Sequence, residues 1–231
     1  MIQEFLAETV YLGVILTLGS YAIGLWLKKK TKLALMNPLL IGIILTILVL
    51  WLTDTPYDNY THGTQVINYL LTPATICLAV PLYEQIQHLK NNFYAISLGI
   101  ISGVLSSMLS ILAMVLILDL DHTSYVTLLP KSITTAIGVS LSQELGGISA
   151  IATAAIIFTG IFGNVFGTLL CRIFGIRNEI AQGVAFGTAS HVIGTSRATE
   201  LGALQGAVSS LSLAVAGILT AILLPIISMF L

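Results

Sequence analysis

Apolar runs long enough to cross a bilayer recur along this 231-residue chain, separated by short polar loops. A spanning helix needs about 20 mainly apolar residues, and lipid-exposed backbone must be helical because nothing else satisfies its N–H and C=O groups. Phe5–Leu27, Met36–Leu52, Phe93–Leu118 and Ile148–Phe174 meet that requirement, and Leu204–Leu231 supplies a fifth span. Three further stretches are apolar but interrupted: Gln65–Tyr83 by Pro73 and Pro81, Tyr125–Glu144 by Pro130 and Lys131, and Glu179–Glu200 by His191 and Arg197. Broken, polar-spotted segments survive at membrane depth only inside protein or beside a wet cavity. Gly99/Gly103, Gly163/Gly167 and Gly202/Gly206 are small-xxx-small pairs that predict close helix contacts.

Composition agrees with lipid as the solvent. Hydrophobic residues make up 56% and charged residues 8%, against about a quarter charged in a soluble domain; mean hydropathy is +0.99. The net charge of −1 supplies no basic field for nucleic acid. Cys77 and Cys171 stand far apart in apolar stretches and read as small buried thiols. The four histidines lack zinc-ligand spacing. No metal, cofactor or nucleophile–base pair is expected, which argues against an enzyme. The first apolar run is too long for a signal-peptide core and its basic cluster follows it, so it reads as a retained span.

Basic residues orient the chain. Lys28, Lys29, Lys30 and Lys32 fix the first loop as cytoplasmic and the N-terminus as outside. The loop with Asp54, Asp58 and His62 is then outside, Lys90 inside, and Asp119, Asp121 and His122 outside. Arg172 and Arg177 belong inside, so an odd number of crossings separates them from His122. Ile148–Phe174 supplies one, and Tyr125–Glu144 adds none or two, as a re-entrant segment or a short hairpin.

The sharpest signal is an internal repeat. Thr134–Gly146 aligns without gaps to Ser190–Gly202, with identities at Ile137/Ile193, Gly138/Gly194, Ser140/Ser196, Glu144/Glu200, Leu145/Leu201 and Gly146/Gly202. A long apolar helix follows each copy. A unit that crosses once leaves the second copy upside down relative to the first, the inverted-repeat plan of secondary transporters with sites at midplane helix breaks. A weaker third echo sets Thr75–Leu82 against Thr134–Leu141.

The expected fold is therefore an all-α polytopic membrane protein of about five to six full spans plus two re-entrant or broken-helix segments. It forms one membrane domain, divided into residues 1–64, 65–124, 125–177 and 178–231. Gly138 and Gly194 are expected to unwind the backbone or let it approach a ligand. Freed N–H groups and the hydroxyls of Ser132, Thr134, Thr135, Ser140, Ser190 and Ser196 would then hold a carboxylate. Those hydroxyls have a plain alternative in bonding helix carbonyls. Lys131 and Arg197 are the only cations in these segments, and each needs a partner at membrane depth. That partner is a substrate anion, or Glu144 and Glu200, whose other roles are helix ends or ion coupling. His191 is a satisfied buried histidine or a titrating site residue, and Pro73, Pro81 and Pro130 break helices.

Asn68–Tyr83, Leu129–Gly138, Glu144–Ser149 and Gly187–His191 occur in an order that resembles the LrgB/CidB family, across nearly the whole chain and most specifically over 68–202. The chain departs from the pattern at Ala189-Ser190-His191, where Ser-Gly-His is common. The resemblance implies a multi-pass protein of the bacterial cytoplasmic membrane, encoded beside a small holin-like LrgA/CidA-type partner and modulating murein hydrolase activity and autolysis. It also implies kinship with plastidic glycolate/glycerate translocators and with pyruvate movement. The expected function is small-monocarboxylate transport with that partner, and a homodimer is the expected assembly. The alternative is a non-transporting antiholin-like regulator that binds holin-like proteins.

Overall fold

A computed structural model describes residues 11–31, 36–70, 73, 76–77 and 79–231. The start of the first expected span and part of the Thr75–Leu82 echo lie outside them. Every described element is helical, and the chain divides into two compact units, Met1–Cys77 and Leu78–Leu231.

In the first unit, α1 (Tyr11–Thr31) packs on α2 (Pro38–Leu52) and α3 (Tyr57–Tyr69). Asn37 caps α2, its Oδ1 accepting from Leu39 N at 2.8 Å, with Pro38 preset for the first turn. Helix α1 runs through Lys28–Lys30, whose charges suit the helix C-terminus. Glycines permit the contacts: Gly24 meets the Pro38 backbone, and Gly13 meets Tyr60 and Gly63.

The second unit contains α4 (Ala79–Glu84), α5 (Ile86–Asn91), α6 (Phe93–Leu118), α7 (His122–Leu128), α8 (Thr135–Glu144), α9 (Ser149–Ile173), α10 (Glu179–Leu201) and α11 (Ala203–Ile227), closed by a 3-10 turn at Ser228–Phe230. Four helices are long and apolar enough to cross a membrane, namely Tyr11–Thr31, Phe93–Leu118, Ser149–Ile173 and Ala203–Phe230; Pro38–Leu52 is a shorter apolar helix. At 1.5 Å per residue the 25 residues of α9 reach about 37 Å, more than the ~30 Å hydrocarbon core. Large apolar side chains such as Ile15, Leu109, Ile117, Phe158, Ile218 and Ile222 point outward. The protein is thus an all-α polytopic membrane protein.

Helices α7 and α8 form a re-entrant hairpin. Asp121 Oδ1 caps α7 by accepting from Ser124 N at 3.1 Å, and Ser124 holds the exposed Asp121 carboxyl below its ordinary pKa. The backbone turns over buried Pro130 and Ile133, and α8 starts after Thr134. On the way back Gly138 lies against the Pro130 carbonyl, while Ser142 and Thr127 both adjoin Gly147. Ile148 N–H then donates to Thr127 Oγ1 at 2.9 Å, so the chain regains the depth of α7 before α9 begins. Of the two topologies expected for Tyr125–Glu144, the one without a crossing is formed. Thr127 is 1% exposed, so Thr127→Val strands the Ile148 N–H. Thermal unfolding in detergent should report a loss of about 1–3 kcal/mol.

Helix α10 is the second hairpin. It reverses at His191, whose φ 43°, ψ −138° is not helical. The register of its neighbours shows the reversal. Phe186 faces Gly167 of α9 and Ser190 faces Gly163, but Asn164 Nδ2 then donates to Ile193 O at 2.7 Å and Arg197 Nε to Thr168 Oγ1 at 3.3 Å. Along α11, Gly183 and Gly187 meet Gln205/Val208 and Ser209/Ser212 on the way in; Thr195 meets Ser209 and Thr199 meets Gly206 on the way out. The tip reaches Gly160, near the middle of α9.

The hairpins enter from opposite ends. Helix α11 starts at the base of the second, and its far end meets the first, where Tyr125 Oη donates to Ile227 O at 2.9 Å. The repeat is therefore inverted. One expectation needs correction: the breaks fall at 130–134 and at His191, while Gly138 and Gly194 sit inside helices. There a β-carbon would meet Pro130 O and Ile156 at Gly138, or Phe186 O and Ser190 at Gly194. These glycines let the two arms of each hairpin touch.

Candidate functional site

Helix α6 brings the two tips together. Its Gly103 faces Thr188 of the second hairpin, and Ser107 Oγ lies 2.8 Å from Ser132 Oγ of the first. Four residues separate those positions, so the tips meet within about 6 Å along α6, near its midpoint. The packing follows from residue size: Gly99, Gly103 and Ser107 recur every four residues and place one small face toward both hairpins. Replacing Ser107 and Ser132 with Cys, in a background where Cys77 and Cys171 are Ala, should give a disulfide under mild oxidation. Two thiols that both stay open to maleimide would refute the contact.

A cavity of about 900 Å³ lies beside the tips. Its inner end is polar, with Ser107, Ser110, Lys131, Ser132, Thr188 and Ser190. Phe162, Leu170, Val184 and Phe186 form apolar walls, and Asn92 and Asn178 stand at the rim, where α6 and α10 begin. The mouth is on the face that carries Lys90, Arg172 and Arg177. Toward the opposite face Tyr125, Val126, Leu129 and Val115, each 0–1% exposed, pack into the core.

Among the lining residues Lys131 alone carries charge. Its Nζ donates to Ser132 Oγ at 3.3 Å, and among the described residues no carboxylate lies within ion-pair distance of it. Ser190 Oγ makes no hydrogen bond among the described residues, leaving its hydroxyl available to the cavity that it lines. Its neighbour His191 is buried on the other side, with Nε2–H donating to the Ile156 carbonyl at 2.9 Å. A carbonyl only accepts, so the proton sits on Nε2 and the ring pins the tip to α9 over Gly160.

Other residues expected at the site lie elsewhere. Arg197 Nη1 donates to Glu200 Oε2 at 2.6 Å, on the returning arm and away from the cavity. Ser196 and Glu144 are exposed, Ser140 bonds Ala136 O at 2.9 Å, and Thr134 and Thr135 open α8. Pro130 is buried in the first turn, Pro73 is exposed, and Pro81 lies within α4. Sequence reasoning missed Ser107, Ser110 and Thr188. Their signal was faint: hydroxyls at 107 and 110 within a 26-residue apolar helix, in phase with Gly99 and Gly103.

The LrgB-like family pattern matches residues 17–230. The chain is 34% identical to "Antiholin-like protein LrgB" of Bacillus subtilis (strain 168) and 35% identical to "Holin-like protein CidB" of Staphylococcus epidermidis (strain ATCC 12228), over 94% of both chains in each case. It is 33% identical to "Antiholin-like protein LrgB" of Bacillus cereus (strain B4264), over 96% of this chain and 97% of that one. No solved structure matches it. With that coverage, and with four helices of spanning length, this multi-pass membrane protein belongs to the LrgB-like family.

Proposed function

We propose that this chain carries small monocarboxylates of the pyruvate or glycolate kind across the bacterial cytoplasmic membrane, acting with an LrgA/CidA-type partner. In this reading its influence on murein hydrolase activity and autolysis follows from metabolite flux. One observation supports it above the rest: two inverted hairpins meet at mid-depth around a lysine that has no carboxylate partner among the described residues. An ammonium at that depth needs a counter-ion, and a carboxylate accepting from Lys131 and from the hydroxyls of Ser107, Ser132 and Ser190 would be one. By the basic residues at its mouth the cavity opens to the cytoplasm, and the N-terminus lies outside.

Uptake of labelled pyruvate or glycolate into proteoliposomes tests the proposal. Saturable uptake supports it; no saturable uptake, with the partner co-reconstituted, ends it. The relatives' names favour a second reading, a non-transporting antiholin-like regulator that binds holin-like proteins. That reading expects Lys131→Ala to leave autolysis control intact, whereas the carrier reading expects control to fail with transport.

A further inference from the structure

The cavity is several times larger than a two- or three-carbon acid, and its volume matches pockets that enclose drug-sized ligands. Polarity is also graded along it. From Ser107 at the inner end to Asn92 at the rim, α6 runs about 22 Å. Between these ends the facing walls are Phe162, Leu170, Val184 and Phe186, with no charged side chain. Gly99, Gly103 and Gly167 also line it, and they bring α6 and α9 close against Val184, Thr188 and Phe186. A hydrated two-carbon anion gains nothing from such walls, but an alkyl chain or an aromatic ring does.

We propose that the same cavity binds monocarboxylates with an apolar tail, straight chains of about six to eight carbons or arylalkanoates. The carboxylate sits at Lys131 and the tail lies along Phe162, Leu170 and Phe186, which makes these acids blockers of the carrier. The inference rests on the reading of Lys131 as the carboxylate anchor. A second carboxylate would have to lie unpaired against the apolar wall, so dicarboxylates are rejected. An amine with the same tail is repelled at Lys131.

The test is equilibrium binding of tritiated octanoate to the purified full chain in lipid nanodiscs, competed by butanoate, hexanoate, octylamine and octanol. Each buried methylene should tighten binding about fourfold, so octanoate should outcompete butanoate on the order of a hundredfold. Octylamine and octanol should not compete. Lys131→Gln should lose the octanoate site, and Leu170→Asn should flatten the chain-length series. A flat series on the unmodified protein overturns the proposal without any variant. So does octanol competing as well as octanoate, the signature of partition into lipid. The two readings separate cleanly. Pyruvate transport that octanoate does not inhibit defeats this inference alone; selective octanoate binding without any pyruvate or glycolate transport defeats the carrier reading alone.

Discussion

Lys131→Ala should lower carboxylate uptake on the order of a hundredfold or more. A buried charge pair that loses one partner costs about 2–5 kcal/mol, and a tenfold change corresponds to about 1.4 kcal/mol. The effect should appear in proteoliposome uptake at unchanged protein yield, because among the described residues Lys131 donates only to Ser132 and its removal breaks no ion pair. Arg197→Ala is the informative contrast. Arg197 already has Glu200 at 2.6 Å on a partly exposed arm, and an exposed pair at i, i+3 contributes only ~0.3–0.5 kcal/mol. Uptake by that variant should stay within a few-fold of the unmodified chain. Equal losses for both variants would remove Lys131 from its assigned place.

The second large effect is expected at Gly187. A β-carbon there would overlap the Ser209 carbonyl and lie 2.7 Å from Ser212 Cβ and 3.1 Å from Leu213 N. Two of those atoms belong to the α11 backbone and cannot rotate away. Gly187→Ala should therefore push the incoming arm off α11 and cost about 3 kcal/mol or more, read as a fall in Tm in detergent. Gly217→Ala on α11 itself is the control. Its nearest neighbour is Ile137 Cδ1 at 3.5 Å, and replacing a helical glycine with alanine is favourable by up to ~1 kcal/mol. Its Tm should hold or rise.

Much of the fold was legible because the repeat and the charge positions are one-dimensional signals. Copies at 134–146 and 190–202 have opposite surroundings, and the arginines at 172 and 177 required Tyr125–Glu144 to return to its own side. The position of the breaks was less legible. Glycine suggests flexibility, yet Gly138 and Gly194 sit inside helices where the two arms of a hairpin touch and leave no space for a side chain. The chain reverses instead at a proline-containing turn and at a histidine held by the Ile156 carbonyl. The two cations illustrate the same limit. Lys131 lies in a turn, while Arg197 follows its turn by six residues, about 9 Å back along the arm, where Glu200 waits three residues on. Sequence spacing treats them alike, whereas depth separates them. Ser107 and Thr188 escaped notice because hydroxyls in membrane helices usually bond their own helix, as Thr188 does with Val184 O at 2.8 Å.

The bond from Tyr125 to the Ile227 carbonyl carries a consequence for biosynthesis. It joins residues 102 positions apart. Ribosomes add about 5–20 residues each second, so the first hairpin is made roughly 5–20 seconds before the end of α11 to which it bonds. During that interval the nascent chain must park a half-built hairpin among lipids or against an insertase. A pulse-chase with tethered ribosomes should find residues 122–144 open to protease until α11 has emerged, and shielded afterwards.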